Sequence, residues 1–231
     1  MQIIYNLIAN VRILCNNTLM KPKEEDLLSV LEQLHPTADC ELNFKTPFEL
    51  LVAVILSAQC TDKRVNTVTE TLFQVASTPS DFVNMDTEQL EKMIFSCGFY
   101  HNKAKAIKEM SKCLVDKYDS VVPSDLNELI KLSGVGRKTA NVVYAVAFHG
   151  QAIAVDTHVF RVANRLGIAK ASTPLDTEKQ LQKYFSPNNW SRAHHLLLFH
   201  GRYICKSQKP DCVSCPLKSM CDYYQEAKCT K

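Results

Sequence analysis

The stretch Leu132-Ser133-Gly134-Val135-Gly136-Arg137-Lys138-Thr139-Ala140-Asn141-Val142-Val143 constrains this chain more than any other. Before it, residues Ser124 to Leu132 carry Leu126, Leu129, Ile130 and Leu132 at helical spacing, with Ser124 as the expected N-cap. After it, Arg137 to Phe148 has the pattern of a second helix, closed by Gly150. Two glycines around one small apolar residue permit a very tight turn with positive φ. Such a turn presents successive N–H groups at the start of the second helix, and exposed amides plus the helix dipole form an anion site. A nucleic-acid phosphate is the simplest anion to expect there. An ordinary helical corner without a ligand is the alternative that Gly-Val-Gly by itself leaves open.

The chain has 231 residues, enough to bury a core in one or two domains. Hydrophobic content of 46% and charged content of 22% fit a globular protein. Only six glycines and long helical periods point to a mostly α fold, and no segment has a convincing period-2 pattern. The net charge is +3, so any DNA-binding surface must come from local clustering. No run of about eighteen apolar residues is present, so no membrane span is expected. Residues 1–19 lack a basic start and a small-residue cleavage site. They are read as an N-terminal extension, not a signal peptide. A helix is expected to start in Met20-Lys21-Pro22-Lys23-Glu24-Glu25-Asp26, with an apolar stripe of Leu27, Val30, Leu31 and Leu34.

Thr46-Pro47-Phe48-Glu49 reads as a capping box with Pro at the first helical position. The helix after it is apolar nearly all round and should be the buried centre of a bundle. It ends at Ser57-Ala58-Gln59-Cys60-Thr61-Asp62, with Thr61 expected to cap the next helix. Asp86 starts a further helix ending at Cys97-Gly98, and another runs from His101 to Tyr118 with Ile107, Met110, Leu114 and Val115 inward. Lys103 and Lys105 are expected on its solvated basic face. Lys138 falls in the first turn of the second hairpin helix, where the dipole disfavours an ammonium. That suits an amine that must act as a nucleophile once desolvated. Asp156 lies eighteen residues later and precedes a helical pattern, so an N-cap is its plain role.

Cys205, Cys212, Cys215 and Cys221 follow C-x6-C-x2-C-x5-C, with Pro210 and Pro216 holding the loop open. Four thiolates so close in sequence can meet on one metal centre. By spacing alone, four-thiolate zinc and an iron–sulfur cluster are both open. Cys15, Cys40, Cys60, Cys97, Cys113 and Cys229 read as free thiols. Lys206 and Lys209 lie between the first two cysteines, where a pinned loop could present them to phosphate.

Gly134-Val135-Gly136-Arg137-Lys138-Thr139-Ala140, followed by Val155-Asp156-Thr157-His158, resembles the endonuclease III family of DNA glycosylases. The resemblance runs from about Glu41 to Cys221. It implies a two-lobed all-α helix–hairpin–helix fold. Residues 40–150 form a six-helix lobe, with the hairpin at about 124–149. Residues 20–39 and 151–231 form the lobe of a [4Fe-4S] cluster held by the four cysteines, which decides for iron. It implies Lys138 as nucleophile and Asp156 as its catalytic partner. It implies DNA contacts at Gln59, Phe99, Gly134, Gly136, Arg137, Lys206 and Lys209. Gln59 would fill the gap left by an extruded nucleotide. Phe99, where the family usually has leucine, would be a wedge, or else would pack in the core. Ser133 departs from the family's usual proline and should alter hairpin rigidity more than chemistry.

The implied function is base excision repair. Oxidised pyrimidines are removed from duplex DNA and the strand is cleaved at the abasic site by β-elimination, without electron transfer. A monomer in the cytoplasm, on the nucleoid when engaged, is expected. A related adenine-mismatch glycosylase usually lacks the lysine and carries a further C-terminal domain. A non-catalytic DNA-binding module would not need the Lys138–Asp156 pair, and an electron-transfer iron–sulfur protein would not need the Gly-Val-Gly turn.

Overall fold

The computed structural model describes residues 21–229, with side chains through residue 226. The expected extension 1–19, Cys15 and the Cys229 thiol lie outside what is described. Among the described residues the chain is helical, with no strand. The helices are α1 (Glu24–Leu34), α2 (Pro47–Ser57), α3 (Asp62–Val75), α4 (Pro79–Asn84), α5 (Thr87–Ile94), α6 (Tyr100–Lys117), α7 (Leu126–Leu129), α8 (Arg137–Ala147), α9 (Thr157–Leu166), α10 (Pro174–Tyr184), α11 (Trp190–Tyr203) and α12 (Asp222–Cys229). None of the described helices is long and apolar enough to cross a membrane.

Buried apolar residues fall into two clusters. The first is built on α2, which is buried at every position from Phe48 to Leu56. Around it pack Val65 and Leu72 of α3, Phe82 of α4, Leu90 and Ile94 of α5, Ile107, Met110 and Leu114 of α6, and Ala140 and Val143 of α8. The second joins Leu27, Leu28 and Leu31 of α1 to Val159, Val162 and Leu166 of α9, Leu181 of α10 and Leu196 and Leu197 of α11. The chain therefore starts in the second cluster, builds the first, and returns. A helix apolar all round can only be satisfied inside such a bundle.

Local capping explains most of the boundaries. Thr61 accepts from the Arg64 N–H and Thr173 from the Asp176 N–H. Thr46 accepts from the Glu49 N–H, but the Glu49 carboxylate turns back to the Lys45 N–H instead of the Thr46 N–H. A reciprocal capping box forms instead at Thr78 and Asp81. The hairpin's first helix is a single turn, and its cap is Asp125, not Ser124. The Asp125 carboxylate accepts from Asn127 N–H and Glu128 N–H, because the helix begins at Leu126 and residue 125, not 124, holds the N-cap position.

The two hairpin glycines have different roles. Gly134 adopts φ +75°, and a Cβ built there would stand 2.8 Å from the Ala106 Cβ of α6. Gly136, against expectation, has φ −83° and ψ 174°, extended backbone open to most residues. A Cβ there would meet no protein atom within 4 Å. Val135 between them is buried and plugs the first core. The Ser133 hydroxyl donates to Glu109 of α6 at 2.7 Å, a tether that takes over some of the stiffening expected of proline.

Gly134→Ala should therefore be costly twice over, through left-handed backbone and through overpacking, each about 1–2 kcal/mol. Denaturant unfolding should show a loss of about 2–4 kcal/mol. A change under about 0.5 kcal/mol, the scatter of a neutral surface substitution, would show that the turn relaxes freely.

Candidate active site and thiol loop

Lys138 is the second residue of α8 and Asp156 is the N-cap of α9. Their helices pack on different apolar clusters, yet both residues line one cleft with Asp39, Ser57, Asp62, His194, His195 and Arg202. Asp156 Oδ1 accepts from the backbone N–H groups of His158 (2.9 Å) and Val159 (2.7 Å). Those bonds fix the carboxylate by one oxygen and leave Oδ2 for the cleft. The cap role and a site role are thus compatible in one side chain. Lys138 is exposed, so the desolvation expected of it is absent in the free protein and would require a ligand covering the cleft.

Several cleft residues carry no sequence motif. Arg202 of α11 pairs with Asp62 at 2.8 Å and with Glu41, joining α11 to the start of α3. Asp156 lies near enough for its negative charge to help stabilise the Arg202 cation. His194 is buried, and its Nδ1 lies 2.7 Å from the Ala154 carbonyl. Burial, reinforced by His195, pushes His194 down to about 4, so the ring is neutral at physiological pH. Sequence inspection had one usable signal here, the adjacent His194-His195 pair on a helix otherwise rich in leucine.

The two clusters are clamped beside the hairpin. Arg137 reaches Glu178 of α10 with Nε (3.1 and 3.0 Å) and Nη2 (2.7 Å), and Glu178 is buried. Asn141 Nδ2 donates to the Ile153 carbonyl at 3.2 Å. Part of the Arg137 side chain is therefore engaged inside the protein, although about half of it remains exposed.

The two residues expected at the lesion are both presented to solvent. Gln59 sits in the α2–α3 loop, exposed, with φ +54°. Phe99 caps α6 with φ +47° and is 65% exposed, which excludes core packing. Lys103 departs from expectation. It is buried, and its Nζ donates to the carbonyls of Leu56 (2.8 Å) and Cys97 (2.7 Å). It lies four residues before Ile107, on the inward stripe of α6. Lys105 is exposed as expected, as are Lys206 and Lys209.

Cys205, Cys212, Cys215 and Cys221 line one cavity with Arg165, Leu166, His200, Ile204 and Tyr223. Arg165 spans this loop: Nη1 donates to the Cys205 sulfur (3.5 Å) and the Lys206 carbonyl (2.7 Å), and Nη2 to the Ser207 carbonyl (3.1 Å). Cys221 Sγ donates to the Arg165 carbonyl at 3.3 Å. No disulfide links these cysteines. Among the described residues, no group of three or more His, Cys, Asp or Glu side chains is placed to hold a single metal ion.

Comparison with known proteins agrees with this geometry. Residues 52–187 match the HhH-GPD superfamily base excision DNA repair protein family. Endonuclease III of Bacillus subtilis (strain 168) is 52% identical over 198 residues, 85% of this chain and 90% of that protein. A solved non-covalent endonuclease III–DNA complex superposes with TM-score 0.84 at 48% identity, covering 88% of this chain and 96% of the other. A trapped endonuclease III–DNA covalent intermediate gives 0.85 at 48% identity, covering 90% and 100%. The hairpin, the cleft and these likenesses coincide, and the chain belongs to the endonuclease III family within the HhH-GPD superfamily of base excision DNA repair proteins.

Proposed function

We propose that Lys138 and Asp156 carry out the glycosylase and abasic-site lyase reactions of this base excision repair enzyme on oxidised pyrimidines in duplex DNA. The observation that carries this reading is that one cleft, lined from two separately packed cores, holds an exposed amine and a fixed carboxylate. The damaged nucleotide is extruded into that cleft. The Lys138 amine attacks C1′ as the bond to the base breaks, and the base departs with the electron pair. Asp156 stabilises the positive charge that develops on the sugar. Loss of a proton from nitrogen and ring opening give a Schiff base between Lys138 and C1′. This imine acidifies the C2′ protons, and loss of one expels the 3′ phosphate by β-elimination. The protein acts as a monomer in this reading.

Backbone and side-chain contacts to DNA are proposed at Gly134, Gly136, Arg137, Lys206 and Lys209, with Gln59 and Phe99 entering the duplex beside the lesion. The open space at the Gly136 Cα supports a close approach of phosphate to that turn. Family membership implies an iron–sulfur cofactor. The four thiols around a shared cavity, with Arg165 donating to the Cys205 sulfur, support Cys205, Cys212, Cys215 and Cys221 as the ligands of a [4Fe-4S] cluster. When bound, the cluster supplies a cross-link that orders the loop bearing Lys206 and Lys209.

Lys138→Gln should abolish the borohydride-trapped complex and strand cleavage while damaged-DNA binding persists; a trapped complex in that variant would assign the nucleophile to another amine. Asp156→Asn should slow base excision by roughly 10²–10³, as loss of one transition-state electrostatic contact does. An unchanged single-turnover rate would remove Asp156 from the chemistry.

Gly136→Val should keep its fold and weaken binding to intact and damaged duplex alike, measured by fluorescence anisotropy. Loss confined to damaged duplex would make the hairpin a lesion reader instead. Anaerobically purified protein should contain about four iron atoms per chain. Stoichiometric zinc without iron would overturn the cluster assignment, and Cys212→Ser should lower soluble yield.

A further inference from the structure

The two exposed tips expected to enter the duplex come from segments far apart in sequence, and a single buried cation lies between their stems. The Gln59 tip follows the C-terminal end of α2, whose Leu56 carbonyl accepts from Lys103 Nζ at 2.8 Å. The Phe99 tip follows the 3-10 turn Phe95–Cys97, whose Cys97 carbonyl accepts from the same Nζ at 2.7 Å. Gln59 is the third residue after Leu56, and Phe99 the second after Cys97. The lysine itself starts on the Phe99 side: its backbone N–H donates to the Phe99 carbonyl at 3.1 Å.

Both tips need such support. Gln59 and Phe99 are non-glycine residues with positive φ, a conformation that persists only where the surroundings hold it. Gly98 beside Phe99 adds a third positive φ, at +65°. Phe99 has no side-chain cap for α6 and is largely exposed, so its own contacts do little to fix it. Lys103 is 6% exposed. Burial lowers its pKa, and its ammonium is met by two carbonyls at helix ends, where the dipole favours a cation. A buried ammonium with two carbonyl partners of this kind is costly to place unless the geometry it enforces is used.

We propose that Lys103 is a positioning residue that locks the Gln59 and Phe99 tips in register with each other, so that both enter the duplex together as the damaged nucleotide is extruded. It touches neither DNA nor the reacting atoms. Its effect is confined to the step in which a paired, stacked base must leave the helix. The proposal rests on the reading of Gln59 and Phe99 as the inserting residues.

The test compares single-turnover excision of an oxidised thymine in duplex DNA with excision of the same lesion in single-stranded DNA, where no partner strand has to be invaded. Lys103→Met keeps the chain length and removes the ammonium. It should slow excision from duplex by about tenfold or more, the scale of a positioning error of an ångström or so, and change the single-strand rate by less than about threefold. Lys103→Gln retains one amide donor and should fall between the two. It supplies the same duplex-to-single-strand ratio should the methionine variant prove insoluble. An equal loss on both substrates in the soluble variants makes Lys103 a structural residue only, and no loss on either removes it from the reaction. Gln59→Ala and Phe99→Ala run alongside. If they show no duplex-selective loss, the insertion reading itself fails. If they do and the Lys103 variants do not, only the positioning role fails.

Discussion

Lys138 and Asp156 stand on helices packed into different hydrophobic cores, so the cleft exists only as accurately as the two cores are held together. The clamp is polar. Arg137 binds Glu178 through two guanidinium nitrogens, Arg202 binds Asp62 and Glu41, and Asn141 donates to the Ile153 carbonyl. Glu178 and Asn141 are buried, where removing one partner leaves a desolvated polar group and costs far more than an exposed pair contributes. Arg137 adjoins Lys138 in sequence. The side chain that ties α8 to α10 therefore also fixes the turn of helix that presents the amine.

The hairpin shows the same economy of position. Gly134 supplies the left-handed residue and the close approach to α6, while Gly136 ends the turn with ordinary extended geometry and an unfilled outer face. One glycine serves folding, and the other is free for a ligand. Ser133 tethers the turn to Glu109 by a hydrogen bond. A proline there would have acted by restricting the unfolded chain, whereas the serine acts through a contact in the folded state.

Much of this was legible in the sequence because it depends on local rules. The apolar run Leu50–Leu56 demanded a central helix, and Thr61 capped the next helix where its place indicated. The four cysteines line one cavity, although among the described residues they are not placed to hold a single metal ion. Less legible were features that require knowing which segments meet. Lys103 looks like a surface residue by type, and only its place four residues before Ile107 on the inward stripe betrays it. The Arg202–Asp62 pair spans 140 residues and obeys no motif. Ser124 was a reasonable cap by type, but the helix starts one residue later than expected and Asp125 takes the N-cap position, bonding two amides.

The charges of the cleft bear on why one carboxylate among several suits the chemistry. Asp39, Glu41, Asp62 and Asp156 all contribute to its lining, against Lys138 and Arg202. Glu41 and Asp62 are both engaged by Arg202. Asp39 is largely exposed at its side chain, where water weakens its field. Asp156 is half-buried, rigidly held through one oxygen by two backbone amides, and without an arginine or lysine within ion-pair distance among the described residues. His194 beside it is neutral, because burial and its histidine neighbour hold it near 4, and so it adds no competing cation. Beyond its long-range pull on Arg202, the Asp156 carboxylate is not consumed by a direct ion pair, so in the proposed mechanism it can act on a positive charge that arises only during reaction. A carboxylate already neutralised in the ground state would stabilise substrate and transition state alike and would accelerate nothing.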